Sequence, residues 1–233
     1  MYNILICDDE KDIVRALRIY LSSHQDYCFF EAYDGLSALQ IVREQQIHLL
    51  LLDIMMPKMD GISVLSRLRE EKNIPVILIS AKGESDDVVM GLNAGADDYI
   101  TKPFKPSEVQ ARVASALRRY TQLGALRQGD NIYRFESIML DDNSRIVEVD
   151  QQPVTLTPTE YGILKLLIQH PGTVFSTDEI YESVWQENSL GNEQSVAVHI
   201  RHLREKIEID PSNPRYLKVI WGVGYCLRKD GKQ

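Results

Sequence analysis

Long apolar stretches are missing from this sequence. Its longest uninterrupted runs, such as Leu49 to Leu52, stop far short of the roughly 18 residues that a membrane span needs. No charged segment followed by an apolar run opens the chain, so neither a signal peptide nor a membrane partner is expected. Cysteine is scarce: Cys7, Cys28 and Cys226 are widely spaced, odd in number and free of any CxxC. That excludes a disulfide scaffold and fits reduced thiols in the cytoplasm. Aromatics make up only 8%. No glycine-rich loop follows the first apolar run, which argues against a nucleotide-binding fold of that type. Internal repeats and low-complexity tracts are absent. Basic excess is absent too, with 26 Lys and Arg against 34 Asp and Glu and a net charge of −8. This last absence excludes less than it suggests, because DNA binding needs a local basic surface and not a basic total.

What is present falls into two grammars. Over residues 1–120, short apolar runs alternate with amphipathic ones. Tyr2 to Cys7, Tyr27 to Ala32, His48 to Asp53, Pro75 to Ser80 and Asp97 to Thr101 read as strands. Ile4 to Ile6, Leu49 to Leu52 and Val76 to Ile79 are nearly continuous in apolar character, as strands buried on both faces of a parallel sheet are. Between them, apolar residues such as Ile13, Leu17, Tyr20 and Leu21 recur at helical spacing. Strand and helix alternating in this way predict an α/β domain, a doubly wound five-stranded parallel sheet. Right-handed crossovers bring every strand's C-terminal end to one edge, where such sheets hold their sites.

Residues 121–131, with Gly124 and Gly129 and weak periodicity, read as a linker. Residues 132–233 begin with short β-like runs, the last being Val154 to Leu156. Thr157 then predicts a helix N-cap, with Pro158 at the first helical position and Glu160 closing a capping box. Helices are expected over Tyr161 to Gln169, Thr177 to Trp185 and Ser195 to Ile209. A terminal hairpin around Gly222 and Gly224 completes an α+β winged helix-turn-helix.

Acids gather where the first domain should hold its site. Asp8 and Asp9 follow the first strand and Asp53 the third. Three converging carboxylates repel one another unless a hard cation sits among them, and Mg²⁺ prefers such ligands. Ser80 ends the fourth strand and Lys102 follows the fifth. A hydroxyl, an ammonium and a metal around one carboxylate make a pocket for a phosphoryl group, with Asp53 as nucleophile. Taken singly, an Asp after a strand is usually a turn or cap residue, and Lys102 a solvated lysine. Their joint occurrence at the strand ends carries the reading. Two other classes compete with it. A phosphatase-like enzyme would want an acid two residues after Asp53, where Met55 stands. A regulator that ignores phosphorylation would have no use for the full set.

Asp8-Asp9-Glu10, Asp53-Ile54-Met55-Met56-Pro57 with Asp60-Gly61, Ser80-Ala81, Gly95-Ala96-Asp97-Asp98-Tyr99 and Lys102-Pro103-Phe104 resemble the receiver domain of two-component response regulators. The resemblance implies that Asp53 takes a phosphoryl group from a sensor histidine kinase. It implies that Asp9, Asp53 and the Met55 carbonyl bind Mg²⁺ directly, with Asp8 acting partly through water. Lys102 would contact the phosphoryl oxygens, Ser80 would swing to donate to them, and Tyr99 would rotate inward as a switch. Without the resemblance, Tyr99 reads as an ordinary half-buried strand residue.

In the last helix, Val196, Ile200, Leu203 and Ile207 form an apolar seam. Val198 lies opposite it, between Arg201 and His202, with Arg204 on one flank and His199 and Lys206 on the other. An apolar seam with a basic outer face suits the major groove. Glu193 to Ile207, Thr157-Pro158-Thr159-Glu160 and Gly222-Val223-Gly224-Tyr225 resemble the OmpR/PhoB winged helix, and the whole chain is similar to the VanR-type branch linked to glycopeptide resistance. The resemblance implies a wing reaching the minor groove and a loop, Gln186 to Gly191, touching RNA polymerase. Lys218, Arg228 and Lys229 become expected phosphate contacts. The family often carries an arginine where Trp221 stands, so Trp221 is expected to pack the wing, and a basic residue where Gln194 stands. The family commonly has basic residues at Val88 and Ala114. Asp97, Asp98 and Arg112 remain as expected homodimer contacts, through the helix before the fifth strand, that strand and the helix after it. The chain is thus expected to be a phosphorylation-controlled transcriptional regulator and not an enzyme.

Overall fold

The structure, a computed structural model, describes residues 1–81, 90–122, 132–186 and 194–228. The chain divides into two compact units, Met1–Tyr120 and Thr121–Gln233. Most of the expected linker, from residue 123 to 131, lies outside the described residues.

The first unit runs β1 (Tyr2–Cys7), α1 (Lys11–Leu21), β2 (Tyr27–Ala32), α2 (Gly35–Glu44), β3 (Leu49–Asp53), α3 (Gly61–Glu71), β4 (Val76–Ala81), β5 (Asp98–Lys102) and α4 (Pro106–Gln122). The sheet is parallel in the order β2-β1-β3-β4-β5. Alternate side chains explain the continuous apolar runs. Ile4, Ile6, Leu49, Leu51, Ile77 and Ile79 face α1 and α4, meeting Val14, Leu17, Val109 and Val113. Leu5, Leu50, Leu52 and Leu78 are equally buried and leave the other face to α2 and α3. Asp34 and Asp60 cap α2 and α3 by accepting from Ser37 N and Ser63 N, which supplies partners for helix-end donors. The strand order reverses between β1 and β3, and this switch point opens the crevice at the C-terminal edge. The fifth strand begins one residue later than expected. Asp97 is held outside the ladder, its carboxylate accepting from Val76 N at 3.0 Å.

The second unit opens with an antiparallel sheet, β6 (Ile132–Phe135), β7 (Ile138–Asp141), β8 (Ile146–Val149) and β9 (Gln152–Pro153). The run expected at Val154 to Leu156 is not a strand. Val154 N still donates to the Val147 carbonyl at 2.8 Å, but no strand continues beyond it and the chain turns into the Thr157 cap of α5. Helices α5 (Pro158–Gln169), α6 (Thr177–Trp185) and α7 (Gln194–Ile207) follow, then the hairpin β10 (Leu217–Ile220) and β11 (Gly224–Leu227). The capping box forms as the sequence predicts. Thr157 Oγ1 accepts from Glu160 N, and Glu160 Oε2 accepts from Thr157 N at 2.8 Å. Helix α7 ends two residues early, and Ile209 stands 90% exposed beyond it. The core joins Ile138 and Leu140 of β7, most of α5, Tyr181 and Trp185 of α6, the α7 seam and Leu217 and Leu227 of the hairpin. Gly224 is required where it stands: a Cβ there would lie 1.9 Å from the Phe175 carbonyl oxygen.

Candidate functional site

Five side chains meet at the edge of the parallel sheet. Asp8 and Asp9 follow β1, Asp53 ends β3, Ser80 lies near the end of β4 and Lys102 ends β5. Asp8 and Asp53 are buried, whereas Asp9 is exposed. One carboxylate oxygen from each of the three acids lies within 4.8 Å of the other two. Lys102 Nζ stands 2.9 Å from Asp8 Oδ2, 2.7 Å from Asp53 Oδ1 and 3.7 Å from Glu10 Oε1. Burial pushes Asp53 up to about 6; the Lys102 hydrogen bond opposes this and the Asp8 charge adds to it. For Lys102, burial works against the charge, but the hydrogen bonds to Asp53 and Asp8 prevail and raise its pKa. Two low-dielectric carboxylates held by one ammonium form an acidic cluster short of positive charge. Ser80 Oγ is buried and has no hydrogen-bond partner among the described residues. A buried hydroxyl without such a partner needs an explanation, and Ser80 directly follows Ile79, the strand partner of Asp53. The donor set fits a divalent cation of the Mg²⁺ or Ca²⁺ class.

Gly61 shapes the floor of the crevice. A Cβ there would lie 2.2 Å from the Asp53 carbonyl oxygen, so the start of α3 rests directly on the Asp53 backbone. Tyr99 is half-buried, with the Arg112 guanidinium carbon 5.8 Å from its ring centroid. Residues 82–89, between β4 and the helical turn that precedes β5, lie outside the described residues.

In the second unit the α7 seam is as expected: Val196, Ile200, Leu203 and Ile207 are buried. The outer face is narrower than its helical spacing predicts. Arg201 is exposed and pairs with Glu205 at 3.0 Å; Ala197 is exposed and Val198 half-buried. His202 does not stand outside. It is buried against α5, with Nδ1 4.0 Å from Glu160 Oε1, and burial lowers its pKa. Lys206 Nζ reaches the same carboxylate at 2.6 Å. Arg204 turns toward the hairpin, its Nε and Nη2 donating to the Leu217 carbonyl at 3.0 and 2.8 Å. His199 is buried beside Trp185, ring centroids 5.7 Å apart. Lys218 donates to the Pro214 carbonyl, and Arg228 is exposed. Lys229 and residues 187–191 of the inter-helix loop lie outside the described residues, as do Val88 and the side chain of Gln194. Trp221 does not pack the wing. It is 88% exposed, in the turn between the two strands of the β10–β11 hairpin.

The pattern of the response regulator receiver domain matches residues 4–114, and that of the C-terminal part of transcriptional regulatory proteins matches residues 151–227. The regulatory protein VanR of Enterococcus faecium is 36% identical over 97% of this chain and 98% of its own length. The uncharacterized transcriptional regulatory protein YcbL of Bacillus subtilis is 40% identical over 96% of this chain and 99% of its own. Among solved structures, the OmpR/PhoB homolog DrrB of Thermotoga maritima aligns with 30% identity and a TM-score of 0.50, covering 98% of this chain and 99% of its own. The chain is a response regulator of the OmpR/PhoB family. This regulator joins a receiver to a DNA-binding transcriptional domain. Similar identities to VanR and to YcbL single out no branch within the family.

The regulator's three expected dimer residues are engaged within one chain. Asp97 Oδ2 accepts from Arg69 Nη2 at 2.9 Å, and Asp98 Oδ1 from Arg112 Nη1 at 2.8 Å; Asp97, Asp98 and Arg112 are all buried. Ala114 is half-buried. Sequence reasoning missed Glu208. Just past α7, it accepts from Arg215 N, Tyr216 N and Leu217 N at 2.6, 2.9 and 2.8 Å. An acid after a helix end looks like surface, and nothing in its spacing announces three backbone donors. Among the described residues, no helix is long and apolar enough to cross a membrane.

Proposed function

We propose that Asp53 is the phosphoacceptor of this regulator, with Lys102 and Ser80 as the groups that receive the phosphoryl oxygens. The observation that carries this is the Lys102 ammonium held between Asp8 and Asp53, while the Ser80 hydroxyl on the neighbouring strand has no partner among the described residues. The Asp53 carboxylate attacks phosphorus on a phosphohistidine of the sensor kinase. A P–O bond forms, the P–N bond breaks, and the imidazole leaves with a proton, giving an acyl phosphate. Lys102 then exchanges one carboxylate contact for the new phosphoryl oxygens, and Ser80 Oγ turns its hydrogen toward them. Asp8, Asp9 and Asp53, with the Met55 carbonyl, would hold Mg²⁺. Once bound, that ion balances the acidic cluster and draws charge from the phosphoryl group.

Ser80 and Tyr99 rearrange on phosphorylation, and two receivers pair. Pairing sets two winged helices on half-sites about one helical turn apart, so that each raises the effective concentration of the other. On DNA, Arg201 and Val198 lead the contact set of α7. Arg204, His202 and Lys206 act from behind that face, and Lys218 and Arg228 are phosphate contacts. The loop over residues 186–191 meets RNA polymerase, and the regulator works in the cytoplasm. Incubating Asp53→Asn with a small labelled acyl phosphate tests the assignment. No label should appear on the variant, and labelling equal to wild type refutes it.

A further inference from the structure

Glu205 stands where neither a helix nor a DNA surface favours an acid. It belongs to the last turn of α7, where the helix dipole favours cations. It follows Arg201 by four residues, and the opposite order, acid first, is the one that stabilises a helix. Val198, Arg201 and Glu205 are spaced three and four apart, so they share one line opposite the buried seam. On a face turned to DNA, an acid on that line repels phosphates. Among residues 195–207 it is the one acid.

Its partner is the basic side chain that α7 sends outward. Arg204 donates to the Leu217 carbonyl, and His202 and Lys206 face Glu160. Arg201 instead donates from Nε to Glu205 Oε1 at 3.0 Å, with 69% of the arginine side chain and 45% of the glutamate exposed. An exposed pair of this kind adds little stability, so its effect is on where the guanidinium points. A bond at Nε leaves the two Nη groups for another partner. That fork matches the O6 and N7 acceptors of guanine in the major groove. An unguided arginine on the same stem has phosphates to turn to, and these carry no sequence information.

We propose that Glu205 is a positioning residue for base reading: it holds the Arg201 guanidinium by its Nε so that the outer fork meets one guanine and not a phosphate. This rests on α7 lying in the major groove. The pair is neutral as a whole, so it adds selectivity without adding attraction for DNA at large.

The experiment uses the full chain, phosphorylated with a small acyl phosphate, and duplexes enriched by it from a random pool. Arg201→Ala locates the guanine, as the position where preference disappears. There the wild type should favour guanine about tenfold over other bases. Glu205→Ala should lose most of that preference while binding unrelated duplexes more tightly. Its slope of log affinity against log salt should steepen by about 0.9, as Arg201 moves to a phosphate. Glu205→Gln keeps an acceptor and should recover part of the preference. The melting temperature should not move in either variant, which separates this role from support of the helix. Wild-type guanine preference in Glu205→Ala overturns the proposal. So does a uniform loss of affinity in Glu205→Ala with preference unchanged. If Arg201→Ala loses preference at no position, Arg201 reads no base and the proposal falls with it. If the wild type enriches no duplex, it is the DNA-binding reading that has failed.

Discussion

Lys102 Nζ lies 2.7 Å from Oδ1 of Asp53, at a site where the lysine side chain is 22% exposed and the aspartate 5%. With Asp8 at 2.9 Å on its other side, one cation serves two buried anions. Removing it leaves both unpaired, and breaking a buried pair from one side costs far more than the pair itself contributes. Lys102→Met should lower stability by about 3 kcal/mol in metal-free buffer, read as a shift of the urea midpoint. It should also slow labelling by an acyl phosphate. An unmoved midpoint would mean that the two acids do not depend on Lys102.

Asp53 gives a pH dependence whose sign is fixed by its raised pKa. Its carboxyl is pushed up to about 6, mainly by burial, from 3.8. The folded chain therefore holds this proton more tightly than the unfolded chain, and the ionised group is a cost to folding above pH 6. That cost fades as pH falls through the window and is gone below about pH 4. Metal-free Asp53→Asn should be more stable than wild type at pH 7.5 by about 3 kcal/mol, from about 1.4 kcal/mol per unit. The gap should close toward pH 4. A gap that is constant with pH contradicts the burial argument.

Glu208 satisfies three backbone N–H groups at the entry to the hairpin. Glu208→Ala leaves these donors without their acceptor, at a cost of about 3 kcal/mol. Thermal unfolding of the second unit, followed by Trp185 emission, should move down while Asp53 labelling stays unchanged. Glu208→Gln should recover part of the loss. A melting curve unaffected by Glu208→Ala would show that water replaces the carboxylate without penalty.

Arg201 and Arg204 should part company. Arg201→Ala removes an exposed side chain and should weaken DNA binding with stability held within about 0.5 kcal/mol. Arg204→Ala removes two hydrogen bonds to Leu217 O and should weaken both, by about 2 kcal/mol in stability. Equal melting temperatures for the two variants would remove the distinction.

Much of this architecture is legible in the sequence, because it is written in local patterns. Leu49 to Leu52 read as a doubly buried strand, and the acid after such a strand must fall on the sheet edge. Thr157, Pro158 and Glu160 specify a helix start within four residues, and the capping box is there. Spacing along a helix gives an angle, however, and not what stands opposite it. His202 and Lys206 project toward Glu160, more than forty residues earlier, and Arg204 toward the hairpin. These neighbours arrive only when the chain folds back. The same holds for Asp98 and Arg112, which read as surface charge and are buried together. Trp221 errs in the other direction, since an indole reads as core and stands in water.

Asp97 and Asp98, adjacent in sequence, are gripped from opposite faces of the sheet, by Arg69 of α3 and Arg112 of α4. Two molecules meeting along this edge through the same residues would have to trade partners, each bridge between them opening one within. Such an exchange leaves the tally of ion pairs unaltered, so charge neither drives nor forbids association. A balance of that kind is tipped by small perturbations, of the size that the proposed phosphoryl group on Asp53 would supply.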